Sequence, residues 1–196
     1  MNKKLIFILS LIFLFLFSGS SVVFGDDFQD GVDAAQRQDY KTAHRLWLPL
    51  AEQGYATAQF NLGQMYRKGL GVPQDYKEAV RLYRLSAEQG DASAQVNLGF
   101  MYSKGQGVPQ DYKEAVKWYR LSAEQGFAIA QFILGKMYYE GLGISQDYVL
   151  AYMWFNLCGY SGDKDCVSSI RHIEKRMTLS QIEEAQEMVR NWKPKR

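Results

Sequence analysis

Three stretches of this chain repeat one another at a spacing of 36 residues, and that periodicity restricts the possible folds more than any other feature. The copies are residues 55–90, 91–126 and 127–162. Each carries Leu-Gly-x-Met-Tyr: Leu62 to Tyr66, Leu98 to Tyr102 and Leu134 to Tyr138. Each continues with a Gly-x-Gly pair, Gly69 and Gly71, Gly105 and Gly107, Gly141 and Gly143. Each then reaches Gln-Asp-Tyr, starting at Gln74, Gln110 and Gln146. A half copy precedes them, from Gln38-Asp39-Tyr40 to Gly54. A unit this short cannot bury its apolar face alone, so the copies must stack on one another.

Within a copy the apolar residues fall at helical spacing. Ala58, Leu62, Met65 and Tyr66 share one face, and Ala79, Val80, Tyr83 and Ala87 share another. Gly63 allows close approach of a neighbouring helix. The small-then-aromatic pair Ala79 and Tyr83 recurs as Ala43 and Trp47, Ala115 and Tyr119, and Ala151 and Phe155, which marks these rings as core. Gly69 and Gly71 stop the first helix by taking positive φ, and Pro73 stiffens the loop. Asp75 caps the second helix, with Glu78 placed for a capping box; Asp111 and Glu114 repeat the device, while Leu150 replaces the Glu after Asp147. Gly90, Gly126 and Gly162 close the second helices. The expectation is an all-α chain of ten helices, two per unit in five units.

This pattern resembles the Sel1-like repeat family, a relative of the tetratricopeptide repeat, over nearly all of the chain after its leader. The resemblance implies a right-handed α-solenoid of helix-turn-helix repeats whose members act as adaptors or scaffolds. Residues 26–54 are then an N-terminal capping half-repeat unit without the Gly-x-Gly-Val-Pro loop. Residues 163–196 are C-terminal capping helices and a basic tail, with Ile170, Ile173 and Met177 facing Ile182, Ala185, Val189 and Trp192. Thr178 or Ser180 caps the final helix.

The start of the chain reads as a targeting segment. Lys3 and Lys4 precede an apolar run from Leu5 to Phe17, and Val23 and Gly25 suit a cleavage site before Asp26. Residues 1–25 are therefore expected to be a signal peptide, and the mature chain periplasmic or secreted. An uncleaved anchor is the alternative, since Leu5 to Phe24 is about long enough to span a bilayer. Removing Lys3 and Lys4 from 23 basic residues leaves 21 against 21 acidic ones. A neutral chain gives no support to a nucleic-acid partner. No membrane contact is expected once the leader is cleaved.

Chemistry-bearing residues are few. Cys158 and Cys166, with seven residues between them, align with Ser86 and Ser122 and with Ala94 and Ala130. In that register they resemble the disulfide staples of cysteine-rich secreted Sel1-like proteins; two buried free thiols are the alternative. No His or further Cys joins them at metal-ligand spacing. His44 and His172 are lone residues on different helices. Ser161-Gly162-Asp163-Lys164 matches Ser-x-x-Lys of penicillin-recognising enzymes, but four positions with two free recur by chance, and no partner motif accompanies them. The Gly-x-Gly pairs lack the preceding strand and following Lys-Ser or Lys-Thr of a phosphate loop. No catalytic residue, cofactor or metal is expected. A cell-wall or β-lactam enzyme, and a structural or regulatory envelope subunit, are the alternatives to a binding module.

Comparing copies separates packing positions from variable ones. Phe60, Val96 and Phe132 stay apolar on the inner face of the first helices. Gln64 becomes Phe100 and Lys136; Arg67 becomes Ser103 and Tyr139. Asn61 and Asn97 carry amides suited to a peptide backbone. The expected partner surface is Asn61, Gln64, Arg67, Asn97, Phe100, Lys136 and Tyr139, taking an unidentified protein or peptide.

Overall fold

The computed structural model describes residues 20–195, with side chains from Asp26 onward. Ten helices are present among them: α1 Ser20–Gln36, α2 Tyr40–Glu52, α3 Ala56–Lys68, α4 Tyr76–Glu88, α5 Ala92–Lys104, α6 Tyr112–Glu124, α7 Ala128–Glu140, α8 Tyr148–Gly159, α9 Lys164–Glu174 and α10 Leu179–Asn191. No strand occurs among the described residues. The architecture is an all-α solenoid of helix-turn-helix repeats, as the periodicity requires. Most of the leader reading, residues 1–25, lies outside the described residues; α1 begins at Ser20, ahead of the expected boundary at Asp26.

The described residues form two compact units, one ending at Gln74 and one starting at Asp75. In the first, α2 packs against both α1 and α3. Its interior holds Ala34, Ala43, Trp47, Leu50 and Leu62, with the Trp47 indole donating to the Phe28 carbonyl at 3.2 Å. The loop between α1 and α2 is short, and Gln38 takes the left-handed conformation there at φ 63°. In the second unit each helix from α4 to α8 packs on its neighbour in sequence.

Local chemistry explains the helix ends. Gly69, Gly105 and Gly141 close α3, α5 and α7 at φ 69°, 66° and 72°. The second glycine of each loop has a further duty. A Cβ on Gly71 would sit 2.6 Å from the Tyr40 Cβ, and Gly107 and Gly143 lie as tightly on the backbone of Tyr76 and Tyr112. The loop therefore seats on the start of the preceding second helix, where only a bare backbone fits. The motif glutamine finishes the joint: Gln74, Gln110 and Gln146 each donate to the carbonyl seven residues back at 2.8 Å.

Asp75 and Asp111 cap α4 and α6 as expected, each accepting two backbone N–H groups. The reciprocal half of the capping box is corrected. Glu78 turns instead to Arg81 at 2.6 Å, and Glu114 to Lys117 at 3.4 Å. The full box occurs at α10, between Thr178 and Gln181.

The C-terminal cap also differs from expectation. α9 and α10 do not chiefly face each other; both pack on α8. Covered from several sides, α8 buries almost its whole circumference, including Tyr152, Met153, Trp154 and Phe155. The tail folds back: the Lys195 N–H donates to the Glu124 carbonyl at 2.8 Å and its ammonium pairs with the Glu124 carboxylate at 2.9 Å.

Candidate groove on the first helices

Helix-to-helix spacing in the second unit is set by glycine. A Cβ on Gly99 would meet the Tyr119 ring at 3.1 Å, and one on Gly135 the Phe155 ring at 2.7 Å. The ring of each second helix thus rests on the glycine of its own first helix. Burial of Tyr119 pushes its phenol pKa up to about 12, opposed by a hydrogen bond with the Ser103 side chain.

Two polar ladders were not anticipated. Gln59, Gln95 and Gln131 are buried, and each donates to the carbonyl eight residues back, at Ala51, Ala87 and Ala123, at 3.0, 3.1 and 3.2 Å. Each of those carbonyls, in the last turn of the preceding helix, also accepts the backbone N–H of the glycine that closes it, Gly54, Gly90 or Gly126, so the bond chiefly satisfies the buried glutamine amide. Arg84 donates to the Tyr102 hydroxyl at 2.5 Å and Arg120 to the Tyr138 hydroxyl at 2.8 Å, each stitching a second helix to the next first helix. Recurrence of Gln at 36-residue spacing was a visible signal for the first ladder.

Cys158 and Cys166 form a disulfide joining α8 to α9, with Cα atoms 5.9 Å apart. They occupy the junction that Ser86 with Ala94 and Ser122 with Ala130 occupy earlier; all six are buried. Ser122 donates to the Ala92 carbonyl at 2.9 Å. The Ser-x-x-Lys string is accounted for by the same turn. Ser161 donates to the Cys158 carbonyl at 2.7 Å, Asp163 caps α9 through Asp165 and Cys166, and Lys164 is the first helical residue, exposed.

The two histidines each hold a tyrosine. His44 meets the Tyr66 hydroxyl at 3.2 Å, and its burial lowers its pKa below the ordinary 6.5. His172 meets the Tyr139 hydroxyl at 3.0 Å.

The variable positions separate accordingly. Between α7 and α9 lies an open groove of about 340 Å³, with Phe132, Lys136 and Tyr139 on one side and Asp165, Ser168 and His172 on the other. It gathers Lys136 and Tyr139 of the expected surface. Lys136 is exposed, its ammonium 5.9 Å from the Phe132 ring centre. Tyr139 is half-buried, its ring 5.6 Å from Tyr148 and 5.4 Å from the Arg176 guanidinium, so it forms a wall more than a free anchor. Asn97 and Phe100 lie on α5; Phe100 is half-buried, and the Asn97 amide donates to the Ser93 carbonyl at 2.8 Å. Asn61, Gln64 and Arg67 lie half-buried on α3 in the first unit. Among the described residues, no three His, Cys, Asp or Glu side chains stand where they could hold a metal ion, and no helix is long and apolar enough to cross a membrane.

The family model described as Sel1 repeat matches residues 28–55, 56–91, 92–127 and 128–162. Among solved structures, a Sel1 repeat protein from Oxalobacter formigenes is 36% identical with a TM-score of 0.70, covering 73% of this chain and 59% of its own. A protective antigen present in uropathogenic Escherichia coli strains, displaying an SLR fold, is 28% identical with a TM-score of 0.52, covering 86% of this chain and 45% of its own. The chain therefore spans about half the length of these relatives. No curated protein matches it.

Proposed function

Because the chain belongs to the Sel1 repeat family, whose fold is a non-catalytic scaffold for protein–protein contacts, we propose that it is an exported binding module whose α7–α9 groove holds an extended segment of a partner protein. The observation that carries this is the groove itself. Two successive first helices build it, its walls carry Lys136 and Tyr139 from the variable columns, and its apolar side is rimmed by hydrogen-bonding groups. Such a mixture suits a peptide, with rings for apolar side chains and a polar rim for the backbone. Phe100 on α5, and Asn61, Gln64 and Arg67 on α3, offer the corresponding positions of earlier repeats. The leader-like start supports a place in the periplasm or outside the cell.

The test uses the chain from Asp26 as bait on the envelope of the exporting cell, followed by affinity measurement with the purified partner. Phe100→Ala and Lys136→Glu should each weaken binding by about 1–3 kcal/mol, with helical content unchanged. Full affinity in both variants refutes the groove reading.

A further inference from the structure

The columns that define the groove do not end with the third repeat. Asp163 stands in register with Phe127 and Asp91 as the residue capping a first helix, so α9 is a fourth first helix. Its His172 continues the column Gln64, Phe100, Lys136, and its Lys175 continues Arg67, Ser103, Tyr139. Arg171 falls at the glycine of Leu-Gly-x-Met-Tyr, after Gly99 and Gly135. In those repeats the glycine is covered by a ring from the next helix. Here α10 packs on α8 instead, and Arg171 is exposed.

What is left uncovered is a recess of about 460 Å³, with Lys164, Arg171, His172 and Lys175 around Val167 and Ser168. No carboxylate lines it. The acidic neighbours are committed elsewhere: Asp163 caps α9, Asp165 faces the aromatic groove, and Glu174 accepts from Tyr152 at 3.1 Å. Among the described residues, Lys164, Arg171 and Lys175 enter no ion pair. Helix stability explains only part of this. Cations at Arg171 and Lys175 complement the C-terminal end of the helix dipole, but Lys164 sits in the first turn, where a cation opposes it. The corresponding residues Ala92 and Ala128 are uncharged. A capping face needs polarity, which either sign supplies; three like charges around one concavity point to a ligand of the opposite sign.

We propose that this recess receives an acidic stretch of the partner segment, continuing from the aromatic groove with which it shares Ser168 and His172. The inference rests on the groove reading and specifies the partner: a segment with an apolar anchor beside a run of Asp or Glu. The concavity, with Val167 in its wall, suits a peptide chain more than a flat anionic lipid surface.

The experiment selects a random dodecapeptide display library against the chain from Asp26, and in parallel against Arg171→Glu/Lys175→Glu and Lys136→Glu. The parent should enrich acidic peptides carrying an aromatic or aliphatic residue. The double variant should lose the acidic preference, weakening the parent's best peptide at least about tenfold, with an unchanged circular dichroism spectrum. That affinity should also fall as salt rises from about 50 to about 300 mM. A neutral or basic consensus, no consensus, or the same acidic consensus on the double variant overturns the inference. Phosphatidylglycerol vesicles that pellet the parent but not the double variant, with no peptide enriched, overturn it in favour of a membrane surface. If Lys136→Glu abolishes the parent's peptides while the double variant keeps them, the groove reading stands and the acidic one fails. If neither substitution matters, both fail.

Discussion

The junction between α8 and α9 provides its own control for the worth of the disulfide. Where this junction has Cys158 and Cys166, the two before it have Ser86 with Ala94 and Ser122 with Ala130, at the same separation and equally buried. Cys158→Ser/Cys166→Ala therefore installs a pair that the molecule already packs twice. The introduced hydroxyl stands in register to donate to the Ala128 carbonyl, as Ser122 does to Ala92. Packing is then matched to both earlier junctions, and hydrogen bonding to that of Ser122 (the Ser86 hydroxyl is buried without a partner among the described residues). The loss is chiefly the cross-link's constraint on the unfolded chain. Closing a loop between residues eight apart gives about 2.5 kcal/mol at 25 °C on the chain-entropy estimate. For a chain of this size that is about 5–10 °C in melting temperature. Thermal and urea unfolding should be followed by far-UV circular dichroism for the oxidised parent, the reduced parent and the double variant. The two chains without the bond should melt together, well below the oxidised parent. A double variant matching the oxidised parent refutes the reasoning; one falling far below the reduced parent shows that the junctions are not equivalent.

Two further outcomes follow from the packing and the titrating groups. Gly135→Ala places a methyl carbon 2.7 Å from the Phe155 ring, against 3.1 Å to Tyr119 for Gly99→Ala; overpacking of about 1–3 kcal/mol, offset by about 1 kcal/mol of helix propensity, makes Gly135→Ala the costlier in urea unfolding, and the reverse order contradicts the ring-on-glycine account. Burial lowers the His44 pKa in the folded chain, so the unfolded chain takes up the proton first, and the stability due to the neutral ring is full above about pH 6.5 and lost as pH falls below it. His44→Gln should therefore show a smaller fall in melting temperature than the parent between about pH 7 and about pH 5, and parallel curves would remove His44 from the account.

The fold was legible because its constraints are local and repeated. Leu62, Leu98 and Leu134, and the loop glycines, each appear three times with the same job, so the pattern identifies both helices and the loop between them. The capping box was misread at Glu78 and Glu114 because spacing cannot tell whether a carboxylate turns back to the cap or forward to a cation one turn on. The cap was misread because apolar spacing on α9 and α10 shows which faces are buried, without showing that α8 is what buries them. The site was legible as columns but not as a groove. Lys136 and Tyr139 were found by their variation, whereas Asp165 and Ser168 come from a segment that had lost the repeat pattern. Tyr139 was expected on the partner surface; its contacts with His172 and Arg176 depend on folding of the C-terminal cap and have no short-range signature.

Whether this chain grips its partner in the α7–α9 groove is tested most directly by photo-crosslinking from single positions. A benzophenone side chain is placed at Lys136 or Ser168 in the groove, and at Lys113 or Leu121 on the second helix α6. Irradiation in the exporting cell should yield one adduct of the same partner from Lys136 and Ser168, mapped by mass spectrometry to a single segment. Lys113 and Leu121 should yield none. Adducts from the α6 positions with none from the groove would contradict the account.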